Sequence, residues 1–230
     1  MSGGGRIWVT RTLPGAHATA TRLSALGYEP VVRPLLEVRP IPDAFDGAPA
    51  PSAIACIALT SPNTVDAIRS GLAAYTHIPA YCVGDTTARA ASDAGFSEVH
   101  SAAGDIQALA KLISSRMSSG LVFAPGAEQP AGDLPALLPN HEVVRLPVYS
   151  TVESEGTIPD ALSAVMIHSP RAGATLAKRL SEKAAPMSVI AISDAAARPF
   201  AGLQGVCITV ADHPDEEAML RALGNSGLAV

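Results

Sequence analysis

ALTSPNTVDAI, residues Ala58 to Ile68, returns in altered form as VMIHSPRAGATL, residues Val165 to Leu176. Each copy is a short apolar run, a Ser-Pro step and then a helical pattern, the signature of a buried strand passing into a helix. The echo continues downstream. Gly84-Asp85-Thr86-Thr87-Ala88-Arg89 follows the first copy, and Ser193-Asp194-Ala195-Ala196-Ala197-Arg198 follows the second. The offset is 108 residues from Ser61 to Ser169 and 109 from Gly84 to Ser193. A near-constant offset reads as a duplicated domain.

The rest of the chain alternates in the same way. RIWVT at Arg6–Thr10 precedes a helix expected near Ala16–Leu26, with Ala16, Ala20, Leu23 and Leu26 on one face and Gly27 as its stop. YEPVVRPLL comes next. Then IACIALTS, AYCVG and SEVHS lead into helices starting near Pro62, Asp85 and Asp105. The last of these carries Ile106, Leu109, Ala110, Ile113 and Met117 on one stripe. GLVFAPG, a short helix near Asp133–Leu138 and EVVRLPVYS follow. In the final third AVMIHS, SVIAIS and GVCITVA alternate with helices near Arg171–Leu180, Ala195–Ala201 and Asp215–Leu223, and a frayed tail is expected from Gly224. Such alternation predicts parallel sheets covered by helices on both faces. About ten strands exceed one small sheet, so the expectation is an α/β protein of two doubly wound, flavodoxin-like domains.

The second copy runs out of chain two elements short of the first, and the N-terminal βαβ unit can supply them. That predicts a discontinuous domain, 1–34 plus 152–230, and an inserted domain, 40–147. Two extended, proline-flanked crossings, PLLEVRP at Pro34–Pro40 and LPVYST at Leu146–Thr151, would place hinge strands at 35–39 and 148–151.

Composition narrows the function. Hydrophobic residues make up 48% and charged residues 16%, enough apolar content for a sizeable core. No apolar run is long enough to span a membrane, and the Gly-rich start, Met1 to Arg6, lacks a signal peptide's apolar region. A soluble, cytoplasmic protein with no membrane partner is expected. Cys56, Cys82 and Cys207 lie far apart in strand-like runs and read as three buried thiols. The six His residues form no metal-ligand spacing, so no metal is expected. A net charge of −5 without a basic block argues against a nucleic-acid partner.

In open parallel sheets, ligands bind beyond the carboxyl ends of the strands. Many polar signals fall there: Thr10-Arg11, Thr60-Ser61-Pro62, Gly84 to Thr87, Gly104-Asp105, Pro125-Gly126, His168-Ser169-Pro170 and Ser193-Asp194. Capping of the following helices alone explains each one singly. Collectively, helix starts offer free backbone N–H groups and a positive dipole end. Two such rims facing each other across a hinge would hold a polyanion without net positive charge. No GxGxxG, P-loop or GxSxG is present. His168 is the one imidazole at a strand's carboxyl end, and its counterpart in the first copy is Thr60. Tyr149 sits in the second crossing strand, where it serves either packing or the hinge region.

VTR at Val9–Arg11, PLLEVRP, LTSPNTV at Leu59–Val65, CVGDTTARA at Cys82–Ala90, VYST at Val148–Thr151, HSPRA at His168–Ala172 and AISDAAAR at Ala191–Arg198 together resemble the uroporphyrinogen-III synthase family. The resemblance covers Arg6 to about Leu223. It implies a cofactor-free, generally monomeric lyase of porphyrin and haem biosynthesis. The substrate would be hydroxymethylbilane, a linear tetrapyrrole with eight carboxylates, cyclised with loss of water and inversion of ring D in the cleft between domains. Tyr149 matches the family's candidate for assisting hydroxyl departure. Thr87, Ser61 and Ser169 match its turn residues, and the substrate-binding set is completed by Thr10, Arg11, Gly84, Gly126, His168 and Ser193. The chain departs from the family where Ser193 replaces a Gly and Ala196 a Thr, and an arginine usual after the PG turn is absent. A different class, a non-catalytic two-domain binding protein for a tetrapyrrole or another small anion, shares the same expected shape.

Overall fold

The structure, a computed structural model, describes residues 4–13, 15–181 and 187–226. Its elements in chain order begin β1 (Arg6–Val9), α1 (Gly15–Ala25), β2 (Glu29–Val32), β3 (Leu36–Pro40), β4 (Cys56–Leu59), α2 (Pro62–Ile68) and β5 (Ala80–Cys82). They continue α3 (Asp85–Asp93), β6 (Val99–Ser101), α4 (Ile106–Arg116), β7 (Leu121–Ala127), α5 (Leu134–Leu137) and β8 (Glu142–Glu153). The last are β9 (Ala164–Ile167), α6 (Pro170–Ser181), β10 (Met187–Ala191), α7 (Asp194–Ala197), β11 (Val206–Val210) and α8 (Glu216–Asn225). The chain is a mixed α/β protein with parallel sheets.

It divides into two compact units. One holds the chain up to Glu37 together with the chain from Val152 onward; the other is Val38–Thr151. The first unit has a five-stranded sheet in the order β11-β10-β9-β1-β2, parallel at every pair. In the second the order is β6-β5-β4-β7-β8, also parallel, with β3 added outside β8. Beside β3, the Ile41 N–H donates to the Val148 carbonyl and the Ser154 N–H to the Leu35 carbonyl, each at 2.9 Å. One index rises as the other falls, so β3 runs antiparallel to β8. The two orders are the same when β9 is set on β4. The N-terminal β1-α1-β2 then stands where β7-α5-β8 stands in the other unit.

Both faces of each sheet are buried, so the strands read as unbroken apolar runs. On β1 the side chains alternate. Ile7 and Val9 join Leu23, Met166, Ile190, Met219 and Leu223, whereas Trp8 joins Val165, Ile167, Leu176, Val189 and Phe200 on the opposite face. The Trp8 indole N–H is satisfied by the Arg33 carbonyl at 2.7 Å. In the second unit, Ile57, Leu59, Val65, Ile68 and Phe123 form one layer, and Cys56, Ala58, Tyr81, Leu109, Ile113 and Val122 the other. Each fully buried Leu, Ile or Phe here contributes roughly 1.5–3 kcal/mol.

Several details differ from the sequence expectation. On α1 the buried stripe is Ala16, Thr19 and Leu23, while Leu26 is 50% exposed. The helix ends at Ala25, before Leu26 can turn inward. Gly27 takes φ 88°, and the Tyr28 N–H closes on the Leu23 carbonyl at 3.0 Å, a left-handed C-terminal stop. Ile106 and Met117 of the α4 stripe are only half-buried. The helix near Ala195–Ala201 is one α turn followed by a 3-10 turn, Arg198–Phe200. α8 continues through Gly224 and Asn225, and the rest of the expected frayed tail, 227–230, lies outside the described residues. Cys56 and Cys82 are buried, and burial pushes both thiols up to about 12. Cys207 is exposed, because it sits on the edge strand β11. Among the described residues no helix is long and apolar enough to cross a membrane.

Candidate active site

The carboxyl ends of the strands form one rim in each unit. In the Val38–Thr151 unit, β4 ends at the exposed Thr60 and at Ser61, which caps α2: its hydroxyl accepts from the Asn63 N–H at 3.2 Å. β5 ends at Gly84, the residue before α3. It supplies no side-chain cap, and a Cβ added there would meet nothing within 4 Å. The first-turn N–H groups of α3 therefore receive no side-chain cap from the residue before the helix. Thr87, on that first turn, is 3% exposed. Asp85 accepts from the Ser101 hydroxyl at 2.6 Å, and Asp105 caps α4 through the Ala108 N–H at 2.9 Å.

Gly126 and Tyr149 meet where β7 pairs with β8. The register shifts between Gly126 and Ala127, so Gly126 pairs with Pro147 but Ala127 with Tyr149. A bulge of this kind re-aims side chains. In a regular strand Val148 and Tyr149 would point to opposite faces; here both are buried in the same apolar layer, and Tyr149 is 6% exposed. A Cβ on Gly126 would lie 3.9 Å from the Thr60 hydroxyl, so the ends of β4 and β7 approach closely there.

The rim of the other unit is ionic. Thr10 is fully buried, and its hydroxyl donates to the Met166 carbonyl at 2.6 Å, tying β1 to β9. Ser169 accepts from the Ala172 N–H at 3.2 Å, and Ser193 from the Ala196 N–H at 3.4 Å, so both hydroxyls cap helices. Arg11 donates from Nη1 to Glu216 Oε2 at 2.9 Å. His168 Nε2 lies 3.3 Å from the same oxygen. Among the described residues, His168 Nδ1, Glu216 Oε1 and the Thr19 hydroxyl are buried without a hydrogen bond of full geometry, the Thr19 hydroxyl facing the Glu216 carboxylate. Burial alone would push the Glu216 carboxyl up. The hydrogen bond from His168, the Thr19 hydroxyl facing it, and the charges of His168 and Arg11 outweigh that and hold it down at about 2.

The sequence thus located Arg11 and His168 but missed Glu216, the acid that joins them. Asp215 is legible as the cap of α8, accepting from the Ala218 N–H at 2.8 Å. An acid in the next position is ordinary in a first helical turn, and its partners stand 205 and 48 residues away. Among the described residues no group of His, Cys, Asp and Glu could hold a metal ion.

Comparison with known proteins places the fold. The structure resembles uroporphyrinogen-III synthetase from Helicobacter pylori 26695, with a TM-score of 0.64 and 20% identity, over 96% of this chain and 99% of that one. It also resembles a mutant uroporphyrinogen III synthase from the extremely thermophilic bacterium Thermus thermophilus, with a TM-score of 0.57 and 16% identity, over 96% of this chain and 100% of that one. At these identities the likeness is one of fold. No curated protein matches the sequence. The family model described as uroporphyrinogen-III synthase HemD matches residues 17–221, most of the length, and the chain therefore belongs to the uroporphyrinogen-III synthase family.

Proposed function

We propose that the chain cyclises hydroxymethylbilane to uroporphyrinogen III, expelling water and inverting ring D, and that the two rims hold the carboxylates of this substrate. The family match over residues 17–221 carries the reaction. The uncapped start of α3 at Gly84 and the Arg11 guanidinium support the two rims as anion receptors. Thr10 uses its O–H on the Met166 carbonyl, and Ser61, Ser169 and Ser193 use their hydroxyl oxygens as helix caps. Their main contribution is to shape the rim and its backbone donors.

The finer architecture belongs to the same reading. The chain forms two flavodoxin-like domains, 1–34 plus 152–230 and 40–147, with β3 and β8 as a two-stranded hinge at 35–39 and 148–151. The shared strand order supports it. It works as a cytoplasmic monomer.

The reaction is a net loss of water without change of oxidation state. Departure of the hydroxyl leaves a cationic azafulvene stabilised by pyrrole nitrogen and by nearby carboxylates. Attack by the substituted carbon of ring D then gives a spiro intermediate, which rearranges to the inverted macrocycle. The protein's task is to fold a flexible chain and hold its ends in register. Tyr149 assists the hydroxyl's departure as a hydrogen-bond donor. Its place beside the bulge at Gly126, at the carboxyl end of β7, supports that role. The test is isomer-resolved turnover, because hydroxymethylbilane closes unaided to isomer I and only a synthase yields isomer III.

A further inference from the structure

Two side chains from distant stretches of one unit converge on a single oxygen, Glu216 Oε2: Arg11 at 2.9 Å and His168 at 3.3 Å. The three residues differ in exposure. The His168 side chain is 7% exposed, Glu216 20% and Arg11 38%, so Arg11 is the member best placed to meet a ligand. Its guanidinium lies over the start of α1: a Cβ on Gly15, the first residue of that helix, would lie 2.7 Å from Arg11 Nε and 2.8 Å from Cζ, so glycine there leaves the planar group its present place. With one nitrogen tied to Glu216 and its body over Gly15, the fork keeps further N–H donors for a carboxylate.

We propose that Glu216 is a positioning residue of the synthase: it holds Arg11 ready for one substrate carboxylate at the carboxyl end of β1, and His168, bonded to the same oxygen, fixes Glu216. The inference rests on the functional reading above. A free arginine loses side-chain entropy when it grips an anion, whereas one already held loses less. A guanidinium suits the task because its planar fork matches a carboxylate. The lowered pKa of Glu216 agrees with an ionised carboxylate at every pH at which the enzyme would work.

Two other roles give different signs. Electrostatics alone predicts that removing a carboxylate beside an anion site tightens binding and lowers KM. A purely structural clasp of α8 on the sheet leaves KM unchanged and lowers only the melting temperature. Positioning raises KM. The experiment compares full-length wild type, Glu216→Ala, Arg11→Ala and the double variant in isomer-resolved kinetics with hydroxymethylbilane. Each single change is expected to raise KM about tenfold, with kcat within about threefold, as fits loss of one charge-assisted contact. In the double variant KM should rise no further than in Arg11→Ala, because Glu216 acts through Arg11. Should Glu216→Ala not fold, Glu216→Gln, which keeps the side-chain shape, carries the same readout. An unchanged or lowered KM, or additive effects in the double variant, overturns the proposal while wild-type activity stands. A wild type that makes no isomer III overturns both this inference and the functional reading.

Discussion

The two rims share a strand order and a Ser-Pro turn, yet they are chemically unlike. Where the Val38–Thr151 unit has Thr60 before its Ser-Pro step, the other has His168, bonded to Glu216. Where the first has Gly84 and the buried Thr87, the second has Ser193, which caps its own helix, and the fully buried Ala196. One rim offers a helix start without a side-chain cap; the other offers a guanidinium tethered to an acid. The lesson is that a shared strand order preserves the place of the strand-end rim and not its chemistry. A backbone rim accepts any side chain but proline, so it tolerates sequence drift. An ionic rim depends on three particular residues.

The largest effect should come at Tyr149. Tyr149→Phe keeps the ring in its apolar layer and removes only the hydroxyl. A positioned acid is worth roughly 10²–10⁴ in rate, so isomer III should form that much more slowly, with a larger share of isomer I. Turnover close to wild type would remove the acid role and shift the chemistry toward the rims.

Next come the helix starts. Ser61 sits at φ −158°, far from the roughly −65° that proline requires, and proline also removes an N–H. Ser61→Pro should lower turnover more than about a hundredfold, whereas Ser61→Ala and Ser169→Ala lose only a cap, about 1 kcal/mol of stability each, and keep turnover within about fivefold. Circular dichroism checks that each variant is folded. Inactive but folded alanine variants would show that the rims work through side chains.

The ionic rim also makes its unit sensitive to acid. The Glu216 carboxyl lies at about 2 in the folded chain against an ordinary 4.5. A depressed carboxyl stabilises the fold fully above about pH 4.5, and that contribution drains away as pH falls toward 2. Arg11 is more than a third exposed, so after solvent screening the contribution is on the order of 2 kcal/mol. Urea unfolding at about pH 6 and about pH 3 should show this loss in wild type and a smaller one in Glu216→Gln. Equal losses would mean that other carboxylates carry the acid sensitivity.

The sheet content was legible because burial on both faces leaves unbroken apolar runs such as AVMI and CIAL, and Ser, Asp and Gly punctuate the helix starts. The origin of the last two strands of the first sheet was legible from the truncated repeat. Boundaries were less so. Leu26 fits the α1 period but lies past Ala25, where the chain has already turned toward the left-handed Gly27. Cys207 resembles its buried counterparts, yet exposure at an edge strand depends on strand order, which local pattern does not encode. Glu216 was hidden because its two partners meet it only through the fold, and the bulge at Gly126 left no mark beyond a glycine.

The most direct test gives purified wild-type protein hydroxymethylbilane and resolves the product isomers over time. The account predicts mainly isomer III, formed faster than spontaneous closure. A protein that binds the bilane yet yields only isomer I at the uncatalysed rate would contradict it.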